Sequence, residues 1–187
     1  MKDDMKIFQL EQKAHKGTQL VKGYDDINGV LDDQIVKTQA MLGSSHIGKG
    51  KLKGETNKWV TTLNALSDLI EEMLKTQRTW MYLEPIFSSG DIATTMPYEA
   101  KLFNEVDALW KNSMKSIEED SALIELAPEN NVEIYGQFCE SNKKLDKIQK
   151  SLSDYLEQKR LVFARFFFLA NEDLLQILAQ TKNPRLI

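Results

Sequence analysis

The chain has 187 residues, 42% of them hydrophobic and 28% charged, with a formal net charge of -4. That balance belongs to a folded body of one large or two small domains and excludes a disordered tail. The net negative charge argues against nucleic acid as a main partner, since phosphate binding needs a clustered basic surface, and leaves room for local basic patches; the single cysteine, Cys139, excludes an internal disulfide and suits a reducing compartment.

The first residues, Met-Lys-Asp-Asp-Met, lack the basic start and apolar run of a signal peptide. The longest apolar run, residues 161–170, is broken by Arg165 and reaches half the length of a membrane span. A soluble intracellular protein without membrane contact is expected. Residues 5–10 and 18–22 have strand-like composition and are joined by the polar stretch 11–17, which predicts a β-hairpin within residues 1–23. Gly23 precedes a first helix over 24–41, where Ile27, Val30, Leu31, Ile35, Val36 and Met41 recur at helical spacing. Residues 43–54, with Lys49, Lys51 and Lys53, read as a flexible basic loop.

The next stretch organises the chain. Trp59, Leu63, Leu66, Ile70, Met73 and Trp80 follow steps of four and three, a seven-residue repeat with polar Gln77 as its one interruption. A helix over 57–86 would be roughly 45 Å long. Pro85 disfavours helix at Glu84, and residues 88–91 carry turn chemistry, so an elbow is expected from Trp80 to Ile92. Pro97 stands where a first helical residue should, with Glu99 in the first turn, and Leu102, Phe103, Val106, Leu109, Trp110, Met114 and Ile117 give that helix a wide apolar face. Residues 122–127 read as a short helical turn. A second long helix over 132–160, with Ile134, Phe138, Leu145, Ile148, Leu152 and Tyr155, is the natural antiparallel partner of the first. The aromatic run 163–169 reads as a strand, and Asn171 as the N-cap of a last helix bearing Leu174, Leu175, Ile177 and Leu178. The fold expected is mainly α, an elongated antiparallel bundle of long helices with a small hairpin and strand element. Its core is expected to hold Trp59, Leu63, Leu66, Ile70, Met73, Trp80, Leu83, Trp110, Phe138, Leu145, Ile148, Leu152 and Phe167.

Catalytic signals are weak. Gly43 to Lys49 has the spacing of a phosphate-binding loop, but Gly50 stands where a Ser or Thr hydroxyl must meet Mg²⁺, and a helix rather than a strand precedes it. His15, His46 and Cys139 do not form a metal-ligand pattern, and no calcium loop or nucleophile-base pair is placed. Glu84, between Leu83 and Pro85, is the one carboxylate with a buried setting, which more often means an ion pair than a catalytic acid.

The elbow resembles the linker region of dynein heavy chains, their N-terminal region 2. Trp80, Tyr82, Leu83, Glu84, Ile86, Phe87, Asp91 and Ile92 fit the Trp-x-Tyr-Leu-Glu-x-Ile-Phe segment of that family, and Pro97, Glu99 and Phe103 fit the helix after it. Leu145, Ile148, Gln149, Lys150, Leu152, Tyr155, Leu156, Glu157 and Arg160 fit Ile-Gln-Lys-x-Leu-x-x-Tyr-Leu-Glu; Arg165 to Leu169 with Leu174, Leu175, Ile177 and Leu178 resemble Arg-Phe-Phe-Phe-Leu and Leu-Leu-x-Ile-Leu. Pro85 and the Ala-Gln-Thr-Lys-Asn-Pro184 ending look more like axonemal than cytoplasmic chains. Ala164 and Ala170 depart from the family, which usually has Pro and Ser there.

The resemblance implies a fragment of a giant motor polypeptide, ending before the ATPase modules. Such a linker is a non-catalytic lever that bends and straightens across the AAA+ ring and so moves cargo along microtubules. It implies no cofactor in this fragment, with ATP and Mg²⁺ in the ring; partners would be that ring, other dynein subunits and, indirectly, microtubules, in the axoneme of a cilium or flagellum. Residues 43–54 and 85–97 are nominated as hinge or ring-facing loops, with Glu84, Pro85, Phe87, Asp91 and Arg165 as candidate residues. Competing readings are a spectrin-like helical spacer, which would need no strands, and a small nucleotide-binding enzyme using residues 43–50.

Overall fold

A computed structural model describes residues 10–44, 51–88, 91–119, 126–127 and 133–179. The order is β1 (Glu11–His15), β2 (Thr18–Lys22), α1 (Tyr24–Leu42), α2 (Lys51–Ser88), α3 (Asp91–Thr95), α4 (Pro97–Glu119), α5 (Ile134–Val162), a 3₁₀ turn (Ala164–Phe168) and α6 (Asn171–Ala179). The protein is mainly helical, with packed long helices and an antiparallel hairpin. Two compact units form, one from Met1–Gln77 and Trp110–Cys139, the other from Arg78–Leu109 and Glu140–Ile187. Helices α2, α4 and α5 contribute residues to both.

In the first unit the hairpin pairs Glu11 with Lys22 through His15 with Thr18. Its two-residue turn, Lys16 at φ 42° and Gly17 at φ 82°, is left-handed at both positions, the geometry that matches the strand twist. The first strand is therefore Glu11–His15, the stretch read from sequence as a polar connector; residues 5–9 lie outside the described residues. Gly23, at φ 69°, redirects the chain into α1, and its carbonyl accepts the first helical hydrogen bond from Ile27 at 3.3 Å. Ile27 and Leu31 of α1, Trp59, Leu63, Leu66, Leu69, Ile70 and Met73 of α2, Trp110, Met114 and Ile117 of α4, and Ile134 and Phe138 of α5 are buried. Trp110 meets Phe138 edge to face, with centroids 6.2 Å apart. Thr62 and Thr76 lie on the buried side of α2 because each hydroxyl donates to a carbonyl one turn back, Lys58 at 3.1 Å and Glu72 at 2.9 Å.

In the second unit Trp80, Leu83 and Phe87 of α2, Phe103 and Val106 of α4, Leu145, Ile148, Leu152 and Leu156 of α5, and Leu174 and Leu175 of α6 are buried. Trp80 Nε1 donates to Asp107 Oδ1 at 3.1 Å, and Phe87 stacks on Phe103 at 5.3 Å. Residue numbers rise along α2 as they fall along α4, so α4 is an antiparallel neighbour of α2 here.

Several sequence expectations change. Helix α2 does not break at Pro85; it runs to Ser88 with Pro85 inside. Proline removes one donor and crowds the carbonyl four residues back, but only three residues follow it in the helix, while Leu83 and Phe87 remain buried on either side. Of the 43–54 loop, residues 51–54 belong to α2 and 45–50 lie outside the described residues. Within 122–127, only Leu126 and Ala127 are described, and both are buried. The aromatic run is a 3₁₀ turn instead of a strand, with Phe166 N bonded to Phe163 O at 2.8 Å and Leu169 N to Phe166 O at 3.2 Å. Phe167, expected in the core, is 56% exposed. Asn171 sits inside α6 instead of capping it, since the carbonyl of Ala170 accepts from Leu174 N at 3.0 Å.

Replacing Trp80 with Ala would empty a fully buried site and remove the indole donor that Asp107 Oδ1 accepts. A loss of about 3–5 kcal/mol is expected, measured as a lower urea midpoint of the chain; an unmoved midpoint would contradict the packing described.

Candidate functional site

Among the described residues, no group of three or more His, Cys, Asp or Glu side chains could hold a metal ion. Among the same residues, no helix is long and apolar enough to cross a membrane. The phosphate-loop-like stretch begins where α1 ends: Gly43 N donates to Gln39 O at 3.2 Å and Ser44 N to Met41 O at 3.1 Å. The strand that a phosphate cradle needs before it is a helix here.

Specific polar contacts among the described residues stand out at three places. The first is Gln77, the one polar residue in the apolar repeat of α2. Its Oε1 accepts from Val21 N at 2.7 Å and its Nε2 donates to Val21 O at 3.0 Å. One side-chain amide thus acts as a neighbouring strand for β2, covering a hairpin edge that would otherwise present unpaired backbone groups. Gln19 Nε2 adds a 3.4 Å bond to Glu118 on α4. Beside it, a cleft of about 550 Å³ separates the hairpin turn from α4; His15, Lys16, Lys111, Lys115 and Glu118 give it a net positive lining.

The second is the run from Trp80 to Ser88. Trp80 is tied to Asp107, Phe87 to Phe103, and Ser88 Oγ donates to Glu84 Oε1 at 3.3 Å across one helical turn. Nearby, Lys144 Nζ lies 3.0 Å from Glu105 Oε2 and 3.1 Å from Glu140 Oε1. The hydrogen bond that Lys144 donates to Glu105, with smaller help from the one to Glu140, holds the Lys144 ammonium above its usual pKa despite some desolvation.

The third is Arg160 in the last turn of α5. Its Nε donates to Phe166 O at 3.3 Å, and Nη2 donates to Leu169 O at 3.0 Å and Asn171 Oδ1 at 2.8 Å. Glu157 lies 3.6 Å from Nη1. The planar guanidinium, with donors in a fixed fork, holds three acceptors of the following turn together. These devices fix position; they are latches between elements.

The family described as "Dynein heavy chain, N-terminal region 2" matches residues 1–187. The chain is 44% identical over 177 residues to human dynein axonemal heavy chain 3, covering 95% of this chain and 4% of that protein. It is 41% identical to rat dynein axonemal heavy chain 12, covering 95% of this chain and 6% of the relative, and 39% identical to rat dynein axonemal heavy chain 1, covering 95% and 4%. The chain belongs to the dynein heavy chains.

Within this dynein segment the nominated hinge residues do not share one loop. Glu84, Pro85 and Phe87 lie in α2, with Phe87 buried; Asp91 opens the five-residue α3; Arg165 is exposed on the 3₁₀ turn. The contacts that sequence reasoning missed belong to Gln77, Asp107 and Arg160. Gln77 carried a signal, since a lone amide in an apolar seam needs a partner. Asp107 and Arg160 are ordinary surface-type residues in sequence, and only the fold gives them their acceptors and donors.

Replacing Gln77 with Leu leaves the Val21 amide without its acceptor. The cost expected is about 1–3 kcal/mol, read as faster hydrogen exchange at Val21 while the amides of α5 keep their rates. Lys144 sets an alkaline dependence. Because its folded pKa is raised, its contribution is complete below about pH 10, the range of an unfolded lysine, and is lost as pH rises through the folded value. Tyr135, whose phenol is raised chiefly by a hydrogen bond with Cys139, titrates with the same sign. The urea midpoint should therefore fall more steeply with alkaline pH in the native chain than in Lys144→Met; parallel curves would remove Lys144 from the account.

Proposed function

We propose that this segment is a non-catalytic lever within the linker of an axonemal dynein heavy chain. It passes nucleotide-driven changes in the AAA+ ring of the same polypeptide to movement along microtubules. The observation that carries this reading is helix α2: 38 residues continue through Pro85, with one face buried from Trp59 to Phe87. A close-packed helix of this kind resists bending, because displacing it opens contacts along its seam. Family membership supplies the motor context, and relatives named as axonemal support a place in the cilium or flagellum. In this reading ATP and Mg²⁺ act in the ring, the immediate partners are that ring and other dynein subunits, and the track is met only through the motor. The chain spans 4–6% of the length of the relatives it matches, so the motor activity belongs to the parent polypeptide.

The test is to soften α2 without touching its core. Arg78 is exposed in the helix interior, and Arg78→Gly costs about 1 kcal/mol of local helix stability. In the full heavy chain this variant should glide microtubules more slowly for each ATP hydrolysed, with ATP turnover retained. An unchanged ratio of gliding velocity to turnover would overturn the lever reading.

A further inference from the structure

The cleft between the hairpin turn and α4 has no part in the lever reading. Its volume of about 550 Å³ falls within the range of small-ligand sites. Both walls belong to the first compact unit, and both are held. The side-chain amide of Gln77 grips Val21 behind the turn, and Gln19 Nε2 donates to Glu118 Oε1 at 3.4 Å, joining one wall to the other. A cleft ordered before binding lowers the cost of association.

Its charge is opposite to that of the chain. Lys16 lines it from the turn, and Lys111 and Lys115, one helical turn apart, line it from α4. Among the described residues that line it, Glu118 is the one carboxylate. Three ammonium groups against one carboxylate reverse locally a net charge of -4. Two features of the turn point the same way. Lys16, at φ 42°, is the one non-glycine residue at positive φ among the described residues. Asn or Gly would make the same turn with less strain, and strained positions persist at ligand clamps. Next to it but one, Thr18 Oγ1 is buried and makes no hydrogen bond, whereas buried polar atoms ordinarily have partners. A ligand oxygen met after a change of χ1 rotamer would supply that partner.

We propose that this cleft binds a small soluble anion carrying at least two phosphate groups. Phosphate is favoured over carboxylate by the cations themselves. All three are lysines, point charges that suit a group whose oxygens face several ways, while a planar carboxylate is matched by the guanidinium fork that the cleft lacks. More than one phosphate is called for because the lysines stand on both walls and a single phosphate fills only a fraction of the space between them. Bound there, the ligand ties Lys16 to Lys111 and Lys115 and holds the hairpin turn against α4. The proposal rests on the geometry of this unit and needs neither the family membership nor the lever reading.

The probe is inorganic tripolyphosphate, titrated without divalent cations into the isotope-labelled 187-residue chain and followed by amide chemical shifts. Shifts should move at residues 14–19 and 111–118, stay in place along residues 140–179, and saturate at higher ligand as salt is raised. Replacing Lys111 and Lys115 together with Gln should weaken binding roughly fivefold or more. The pair Lys143→Gln and Lys147→Gln, exposed on α5 with the same spacing and the same loss of charge, should leave binding within about twofold. Tripolyphosphate should bind more tightly than inorganic phosphate and than hexaglutamate. Absence of shifts at the cleft would overturn the proposal, as would equal weakening by the two pairs of substitutions, which would reduce the effect to net charge. Inorganic phosphate binding as tightly as tripolyphosphate would remove the second phosphate, and tighter binding of hexaglutamate would make an acidic peptide the ligand instead.

Discussion

A helix of 38 residues that buries one face over most of its length needs a partner at nearly every turn. Helix α2 meets that constraint with large side chains at Trp59, Leu63, Leu66, Ile70, Met73, Trp80, Leu83 and Phe87, all buried. Each contributes on the order of 1.5–3 kcal/mol by leaving water. Tertiary burial of this kind, more than local propensity, makes a long helix persist. It also explains why Pro85 is tolerated: the apolar spacing continues past it through Phe87, so one lost backbone hydrogen bond is set against two buried side chains. The other elements are placed by what that seam requires. Helix α4 brings Phe103, Val106 and Trp110 at spacings of three and four, and α5 brings Phe138, Leu145, Ile148 and Leu152 at spacings of seven, three and four.

Helical periodicity was legible because it is a property of the chain that burial must obey. Residues 24–41 and the Pro97 start were read within a residue of α1 and α4, and the repeat from Trp59 to Trp80 lies on a buried face as written. What failed were places where a local signal was decided by a distant or later residue. The aromatic run 163–169 has strand composition, yet a strand requires a neighbouring edge for its backbone groups. Here the guanidinium of Arg160 accepts that role for the carbonyls of Phe166 and Leu169, and the chain closes into 3₁₀ turns. A core position for Phe167 rests on the same strand reading, and its exposure follows from the turn. The hairpin is legible in the sequence, but its first strand reads too early, because Glu11–His15 is polar and its pairing is fixed by the left-handed Lys16-Gly17 turn.

The candidate site was less legible than the fold, for a related reason. The nominated hinge residues were chosen from turn chemistry, and Pro85 proved to be part of a helix whose continuity depends on Leu83 and Phe87. The useful signal was the reverse one, a polar residue where the pattern called for an apolar one. Gln77 breaks the repeat because a strand edge lies against it, and its amide supplies both the donor and the acceptor that Val21 needs.

Those polar contacts have a role that apolar packing alone cannot fill. A heptad seam is nearly self-similar under a shift of one helical turn, about 5.4 Å, so large apolar side chains tolerate more than one alignment of neighbouring helices. A polar pair within the seam does not: displacing α4 by one turn against α2 would separate Trp80 Nε1 from Asp107, at 3.1 Å in this alignment, and leave a desolvated indole donor and a carboxylate without each other. A polar residue at a packed position fixes register in coiled coils in this way. Gln77 constrains the hairpin in part, since a slip of β2 by one residue would turn away the N–H and C=O of Val21 that the side-chain amide spans. The apolar seam makes these helices stable, and its few polar contacts make one arrangement of them stable in preference to its neighbours.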